Sequence, residues 1–310
     1  MLEMLTADQS GGIMSLGEAI SKTEDMQREY YAKNQYARLK TGFEKLDDIL
    51  IMQPGKVTIL AAYTSCGKSA LALCIANNMV QKGIPILYIT VEMSHSDIVY
   101  RLASMNGDTN LTSLVRGNVQ GLGNHPGLKM LAPFFENFHI ADLDMTSEIE
   151  IVLLMQQHML RYPDTGLVVI DYLQNVDCER HPRLSRHLQM SAIMRYLRAA
   201  TKKLKVNLLL ISQVSRPEIR DGKFRMLTKY DLKESGDIEN TTDMILLINR
   251  LPDVSATPPG KWLALLDVHK QRMGSTGIVE MAFTKQYVRF HESLVPSDIM
   301  DEITKKPSRK

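Results

Sequence analysis

The sequence predicts an α/β protein built on a mostly parallel sheet, with an antiparallel extension towards its C-terminus. Three observations lead there. From Lys56 to Val214, short apolar runs rich in β-branched residues alternate with helical patterns. Such runs, apolar on both faces, are strands covered by helices on each side. A Gly-Lys-Ser turn, Gly67 to Ser69, stands between the first of these runs and the helix after it. Beyond Val214, four more strand-like runs follow with little helix between them, which is the pattern of antiparallel neighbours.

The elements follow in order. Met1 to Gly12 is short and polar. Ser15 with Glu18 forms a capping box. The helix it opens extends to about Ala32 and carries a narrow stripe of Leu16, Ala19, Ile20, Thr23, Met26 and Tyr30. Its other faces are charged, so it requires a partner surface. Asn34 to Lys40 reads as a linker, and "TGFEKLDDIL" opens the main domain. "KVTILAA" is a strand after the Pro54-Gly55 turn, and Lys68 to Gln81 is a helix stopped by Gly83. "ILYITVE" is a strand, and Ser94 with Asp97 caps a helix through Met105. "FHIADLD" is a strand, and Ser147 with Glu150 caps a helix to Arg161. "GLVVIDYL" is a strand, followed by a long helix from Leu184 to Leu204 with Met190, Ile193, Met194, Leu197 and Leu204 on one face. "NLLLISQV", "MILLINR", "WLALLDVHKQR", "GIVEMAF" and "YVRFHES" complete the strands. The expected division is a disordered 1–14, a linker helix at 15–38, the main domain at 39–295 and a flexible basic tail at 296–310.

Composition narrows the classes. With 310 residues, 44% hydrophobic and 23% charged, the chain has the make-up of an ordinary globular protein. A net charge of +2 gives no global basic field, so any polyanion site must come from local clustering. Cys66, Cys74 and Cys178 form no metal-binding spacing and fit a reducing cytoplasm. No apolar run approaches the roughly 20 residues of a membrane span, and no export signal is evident.

Chemistry concentrates at the ends of the predicted strands. "AAYTSCGKS" lies between a strand and a helix, the context of a phosphate-binding loop, although Ala62 replaces the first glycine of the usual pattern. Backbone N–H groups of Ser65, Cys66, Gly67, Lys68, Ser69 and Ala70 would cradle phosphate oxygens at a helix N-terminus. Lys68 would reach the β- and γ-phosphates, and Ser69 would hold Mg²⁺. Asp171 ends the run "LVVID", where a carboxylate orders Mg²⁺ through its water shell. Glu92 ends "ILYITVE" and is placed either to activate a water or merely to enter the next helix beside the Ser94 cap. Gln213 ends "LLLISQ", as a γ-phosphate sensor or a plain polar strand end. Lys270 and Arg272 share a strand face. They fit an anion supplied by another subunit, or a solvated edge strand. Arg180, Arg183 and Arg186 in "CERHPRLSR", and the basic residues of "SRPEIRDGKFR", suit either a nucleic-acid backbone or solvent.

Together these motifs resemble the C-terminal motor domain of DnaB-type replicative DNA helicases, a RecA-like P-loop NTPase that works as a hexamer. "TGFEKLD", "AAYTSCGKS", "VEMS", "VVIDYLQ", "LLLISQVSR", "DLKESGDIENTTD" and "KQRMGSTGIVEMAF" carry the resemblance from about Ser15 to Ser293. It implies ATP and Mg²⁺ as cofactors, with Lys68 and Ser69 as their ligands, Asp171 as the acidic Mg²⁺ residue and Glu92 as catalytic base. It implies that Gln213 senses the γ-phosphate, that Arg101 packs on the nucleotide base, and that Lys270 and Arg272 enter the neighbouring subunit's site. Lys233, Glu234 and Gly236 match the loop that tracks single-stranded DNA, with Lys233 where the family usually has Arg. Ala62 is then a family habit. The linker helix is expected to dock on the adjacent motor domain, and a helicase loader is a further partner the resemblance allows. Only Met1 to about Ser15 precedes that helix, where the family usually has a collar that meets primase. That puts the primase partnership in doubt. The expected activity is ATP-driven unwinding with 5′-to-3′ movement. Two alternatives stay open: a RecA-like DNA-stimulated ATPase or recombinase that does not unwind, and a nucleotide-binding loader or scaffold.

Overall fold

The computed structural model describes residues 14–32, 39–117, 121–214, 224–232, 240–252 and 260–295. The chain divides into two compact units, Met1–Leu39 and Lys40–Lys310. Helix α1, Leu16–Ala32, belongs to the first. Its start is the expected capping box: Ser15 N donates to Glu18 Oε2 at 2.7 Å, and Glu18 N donates to Ser15 Oγ at 3.2 Å. Leu16, Ile20 and Met26 are exposed.

In the second unit the strands are β1 (Val57–Ala62), β2 (Ile86–Thr90), β3 (Phe138–Asp142), β4 (Thr146–Ser147), β5 (Leu167–Asp171) and β6 (Val176–Asp177). They continue with β7 (Asn207–Gln213), β8 (Met244–Arg250), β9 (Lys261–Gln271), β10 (Gly277–Thr284) and β11 (Arg289–Glu292). The helices are α2 (Glu44–Ile49), α3 (Lys68–Val80), α4 (His95–Gly107), α5 (Leu111–Val115), α6 (Pro126–Leu131), α7 (Glu148–Arg161) and α8 (Arg186–Leu204). Of these, α2, α5 and α6 are short and escape a reading based on periodicity, because five or six residues hold fewer than two turns.

Nine strands form one sheet in the order β11-β10-β9-β8-β1-β7-β5-β2-β3. From β8 to β3 all neighbours are parallel. The pairs β8–β9, β9–β10 and β10–β11 are antiparallel, which is the expected extension. β4 and β6 form a separate parallel pair. β1, β2, β5 and β7 are buried along nearly their whole length. One face of the sheet, carrying Val57, Ile59, Ala61, Val168, Ile170, Leu208 and Leu210, packs on Ile151, Val152 and Met155 of α7 and on Met190, Ile193, Met194 and Leu197 of α8. The other face meets α3, which is buried on nearly all sides and touches β1, β2, β5 and β7.

The entry segment is tied to α3. Asp47 Oδ1 accepts from Thr41 N and Thr41 Oγ1, each at 2.7 Å, and Asn78 Nδ2 donates to Thr41 O at 3.0 Å. Gly42 sits between them at φ 83°, and a Cβ there would lie 2.6 Å from Asn78. The spacing in "TGFEKLD" therefore encodes a turn that only glycine completes.

Candidate active site

Because β1, β2, β5 and β7 are parallel, their C-terminal ends share one edge of the sheet. Ala62 is level with Gln213, and Thr90 is level with Asp171. This edge is where ligands of open α/β sheets bind.

The loop after β1 explains the alanine. Ala62 is the last residue of β1, paired with β7, and does not take a positive φ. The left-handed positions come later, at Ser65 (φ 62°) and Gly67 (φ 83°). A Cβ at Gly67 would lie 2.9 Å from the Phe290 ring and 3.3 Å from Trp262. Glycine is thus required at 67 and not at 62. Ser65 is exposed, Cys66 is buried, and Ala70 is buried in the first turn of α3.

Lys68 starts α3 and curls back, its Nζ donating to Tyr63 O at 3.0 Å and to Ala62 O at 3.3 Å. Burial presses its ammonium below the usual lysine range, while Cys66, Asp171 and Glu92 pull it back up. Burial likewise raises the Cys66 thiol, eased by Lys68 and Arg250.

Asp171 is fully buried. Tyr88 donates its hydroxyl to Asp171 Oδ2 at 2.9 Å, while Oδ1 has no hydrogen-bond partner. Burial raises this carboxyl above the usual range; Ser69 and Tyr88 hold it down, Glu92 pushes it up and Lys68 draws it down. An orphaned carboxylate oxygen beside the Ser69 hydroxyl suits a hydrated divalent cation, which prefers oxygen ligands and keeps several waters.

Glu92 lies two residues beyond β2, in a bend and not in the strand itself. Thr90 Oγ1 donates to Met93 O and accepts from Met93 N, both at 2.9 Å, which shapes that bend. Its carboxylate is exposed, yet its charge acts on both Lys68 and Asp171. The Ser94–Asp97 capping box opens α4 just after it. Arg101 lies on α4, half-buried, and its charge reaches Tyr88. Gln213 spans back to the loop, donating from Nε2 to Thr64 Oγ1 at 2.7 Å.

The structure does not bring Lys270 and Arg272 to this edge. β9 runs antiparallel to β8, so its end lies beside the start of β8. Asp243 N donates to Val57 O, which places that corner at the opposite end of β1. Six residues at roughly 3.3 Å each make this about 20 Å from the phosphate loop. Arg272 lies just beyond β9 and donates to Asn240 O at 2.8 Å, and Lys270 donates to Thr242 O at 3.1 Å. Asp243 is 3.7 Å from Arg272, 3.3 Å from Arg198 and 4.0 Å from Lys56. Among the described residues the anionic partner of Arg272 is Asp243, a single carboxylate that it shares with Arg198 and Lys56. Lys233, Glu234 and Gly236 lie outside the described residues, as does most of "SRPEIRDGKFR".

Of the basic loop after β5, Arg186 turns inward, donating to Gln174 O at 2.7 Å and Val176 O at 3.1 Å, and Arg180 lies 4.7 Å from the Tyr196 ring. Three site residues escaped the sequence reading: Thr64, Tyr88 and Gln174. Tyr88 had a signal, since a tyrosine in a wholly apolar strand needs a partner for its hydroxyl.

Fold and loop together define a P-loop NTPase with a RecA-like sheet. The chain belongs to the DnaB-like helicase C-terminal domain family, whose model matches residues 38–292. It is 28% identical over 298 residues to the replicative DNA helicase DnaB of Geobacillus stearothermophilus, covering 94% of this chain and 64% of that protein's length. It is similar to a solved ATPase domain with a TM-score of 0.77, at 27% identity, covering 91% of this chain and 100% of that one. A solved DnaB-like replicative helicase, described with its interactions with primase, matches with a TM-score of 0.74 at 25% identity, covering 94% of this chain and 70% of that one.

Proposed function

We propose that this chain is the ATP-driven motor of a ring-shaped, hexameric replicative DNA helicase that moves 5′-to-3′ on single-stranded DNA and unwinds duplex. One observation carries the reading. The phosphate-handling set of Lys68, Ser69, Glu92, Asp171 and Gln213 sits at one edge of the sheet, while Lys270 and Arg272 sit at the other. A subunit of this shape cannot apply its own Arg272 to a phosphate on its own loop. A neighbour arranged head-to-tail can, and head-to-tail contacts close into rings.

In this reading the N–H groups from Ser65 to Ala70 hold the ATP phosphates, Lys68 leaves its carbonyl partners for them, and Arg101 meets the base. Ser69 and Asp171 would hold Mg²⁺, which neutralises charge on the β- and γ-phosphates. Glu92 accepts the proton of the attacking water, for which its exposed position leaves room. Arg272 leaves Asp243, and Lys270 leaves Thr242 O, to stabilise charge on the phosphoryl group of the next subunit. Gln213 reports the γ-phosphate to the segment after β7. Lys233, Glu234 and Gly236 follow the DNA backbone without reading sequence. The stripe of α1 docks on the adjacent motor, and a loader is the further protein partner in this reading.

The test mixes two inactive variants. An arginine acting on the transferring phosphoryl group contributes about 10³ to 10⁵ in rate, so Arg272→Ala is expected to bind ATP and barely turn it over. Lys68→Ala is expected to lose nucleotide contact. Mixed rings, verified by native mass measurement, contain interfaces with both residues intact and should recover part of the single-turnover hydrolysis. No recovery at any ratio would place Arg272 in its own subunit's service and remove the interface mechanism.

A further inference from the structure

The ladder at the end of β7 is incomplete on one side. β7 pairs with β5 only as far as Ile170 and Leu210, because the chain leaves β5 at Asp171 and turns through Leu173–Asn175. On its other side β7 continues along β1 to Gln213, and Val214 N donates to Ala62 O at 3.3 Å. In a parallel strand successive peptide groups point to opposite sides. The N–H and C=O of Gln213 therefore face the side that β5 has left.

The side chain of Gln174 occupies that place. Its Oε1 accepts from Gln213 N at 3.1 Å. Its Nε2 donates to Ser212 Oγ at 2.9 Å and approaches Gln213 O at 3.5 Å. A side-chain amide carries one acceptor and one donor group, as a backbone peptide does, so it can stand in for the missing strand. Gln174 is itself anchored, since Arg186 donates to its carbonyl at 2.7 Å and to Val176 O at 3.1 Å. The Gln213 side chain, whose backbone is held in this way, donates to Thr64 of the phosphate loop at 2.7 Å.

We infer that Gln174 is a positioning residue: its amide completes the end of β7 and aims Gln213 at the phosphate loop, so that the turn after Asp171 and the tip of β7 move as one piece. The inference deepens the proposed function and rests on its assignment of Gln213 to the γ-phosphate. Loss of Gln174 then unties the sensor from the Mg²⁺-side strand, without touching the loop that binds ATP.

The experiment compares Gln174→Met, which keeps length and loses both hydrogen bonds, with Gln174→Glu, which keeps the acceptor for Gln213 N. Amide hydrogen exchange in the full chain reads the geometry directly. In Gln174→Met the Gln213 amide should exchange at least about tenfold faster, while the Val214 amide, bonded to Ala62, stays as it was. Gln174→Glu should restore protection at Gln213. Unchanged exchange at Gln213 in the Met variant overturns the inference, and so does equal acceleration at both amides, which would mean general loosening. Turnover gives the second arm. Gln174→Met should lower kcat with little change in the KM for ATP, and it should add nothing in a Gln213→Ala background. Full additivity there overturns action through Gln213. If Gln213 exchange rises as expected but Gln213→Ala hydrolyses ATP normally, the positioning stands and the sensor assignment falls.

Discussion

At the residue scale, the loop after β1 shows what a motif asks of each position. The usual first glycine is dispensable because Ala62 still belongs to a strand, whereas Gly67 stands at φ 83° beneath Phe290 and Trp262. The carboxylates divide by environment. Asp171 is buried and held by Tyr88, while Glu92 is exposed in a bend two residues past β2. An exposed carboxylate has access to water, which suits a base. Glu92→Gln keeps the size and removes the base. It should bind ATP as tightly as the parent, with turnover reduced by about 10² to 10⁴. Equilibrium nucleotide titration and steady-state hydrolysis check the two halves, and near-normal turnover would move the base elsewhere. The positions of Asp171 and Gln213 at strand ends, and of Glu92 just past one, were legible in the sequence because each closes an apolar run. Gln174 was not, since a glutamine in a turn has no pattern until its partner strand is in place.

At the element scale, α7 brings a titratable group into the layer beside β3. His158 lies with its ring 4.6 Å from His139 and 5.0 Å from Tyr162. Thr165 already donates its hydroxyl to Tyr162 O at 2.6 Å, so the 3.2 Å contact between Thr165 Oγ1 and His158 Nδ1 has the imidazole as donor. That assignment leaves Nε2 as the unprotonated nitrogen, and it is buried with no partner. Burial, with His139 adding to it, pushes His158 down from 6.5 to about 4. The sign follows from linkage. Between 6.5 and 4 the unfolded chain takes up a proton that the folded chain refuses, so stability is complete above the ordinary value and falls as pH drops through that window. His139, lowered by its own burial, acts in the same direction. Denaturant midpoints should fall between pH 7 and pH 4.5, and His158→Gln should flatten part of the fall. An identical slope in that variant would assign the acid sensitivity to other groups.

At the scale of the whole molecule, the two ends of the sheet carry different chemistry. One end gathers the phosphate loop, Asp171 and Gln213; the other gathers Lys56, Arg198, Lys270 and Arg272 around Asp243 and the 240–242 carbonyls. A head-to-tail neighbour would bring unlike ends together, which is the physical content of the ring proposal. In the ring proposal the first unit would add a second contact. α1 exposes Leu16 and Ile20 on a 17-residue helix, a length that is marginal in water without a surface to cover it. Replacing both with Glu should leave the Lys40–Lys310 unit folded while weakening assembly. Sedimentation velocity with nucleotide and single-stranded DNA measures it. Unchanged assembly would mean that the stripe serves its own subunit.

The sequence alone determined the longer elements and the polar residues that close their apolar runs. Apolar runs, capping boxes at Ser15 and Ser94, the N-cap at Ser147, and the Gly-Lys-Ser turn are local signals, and each arises within a short window of residues. Tertiary structure decided which strands are neighbours. The strand order β8-β1-β7-β5 sets Lys68 near Asp171 and Gln213 against Thr64, partners more than a hundred positions apart, and sends Lys270 and Arg272 to the far edge. It also chose Asp243 as the partner of Arg272 and Gln174 as the substitute for a strand. Such choices rest on contacts between segments distant in sequence, whose energies depend on packing and on the satisfaction of buried polar groups, and no local pattern carries that information.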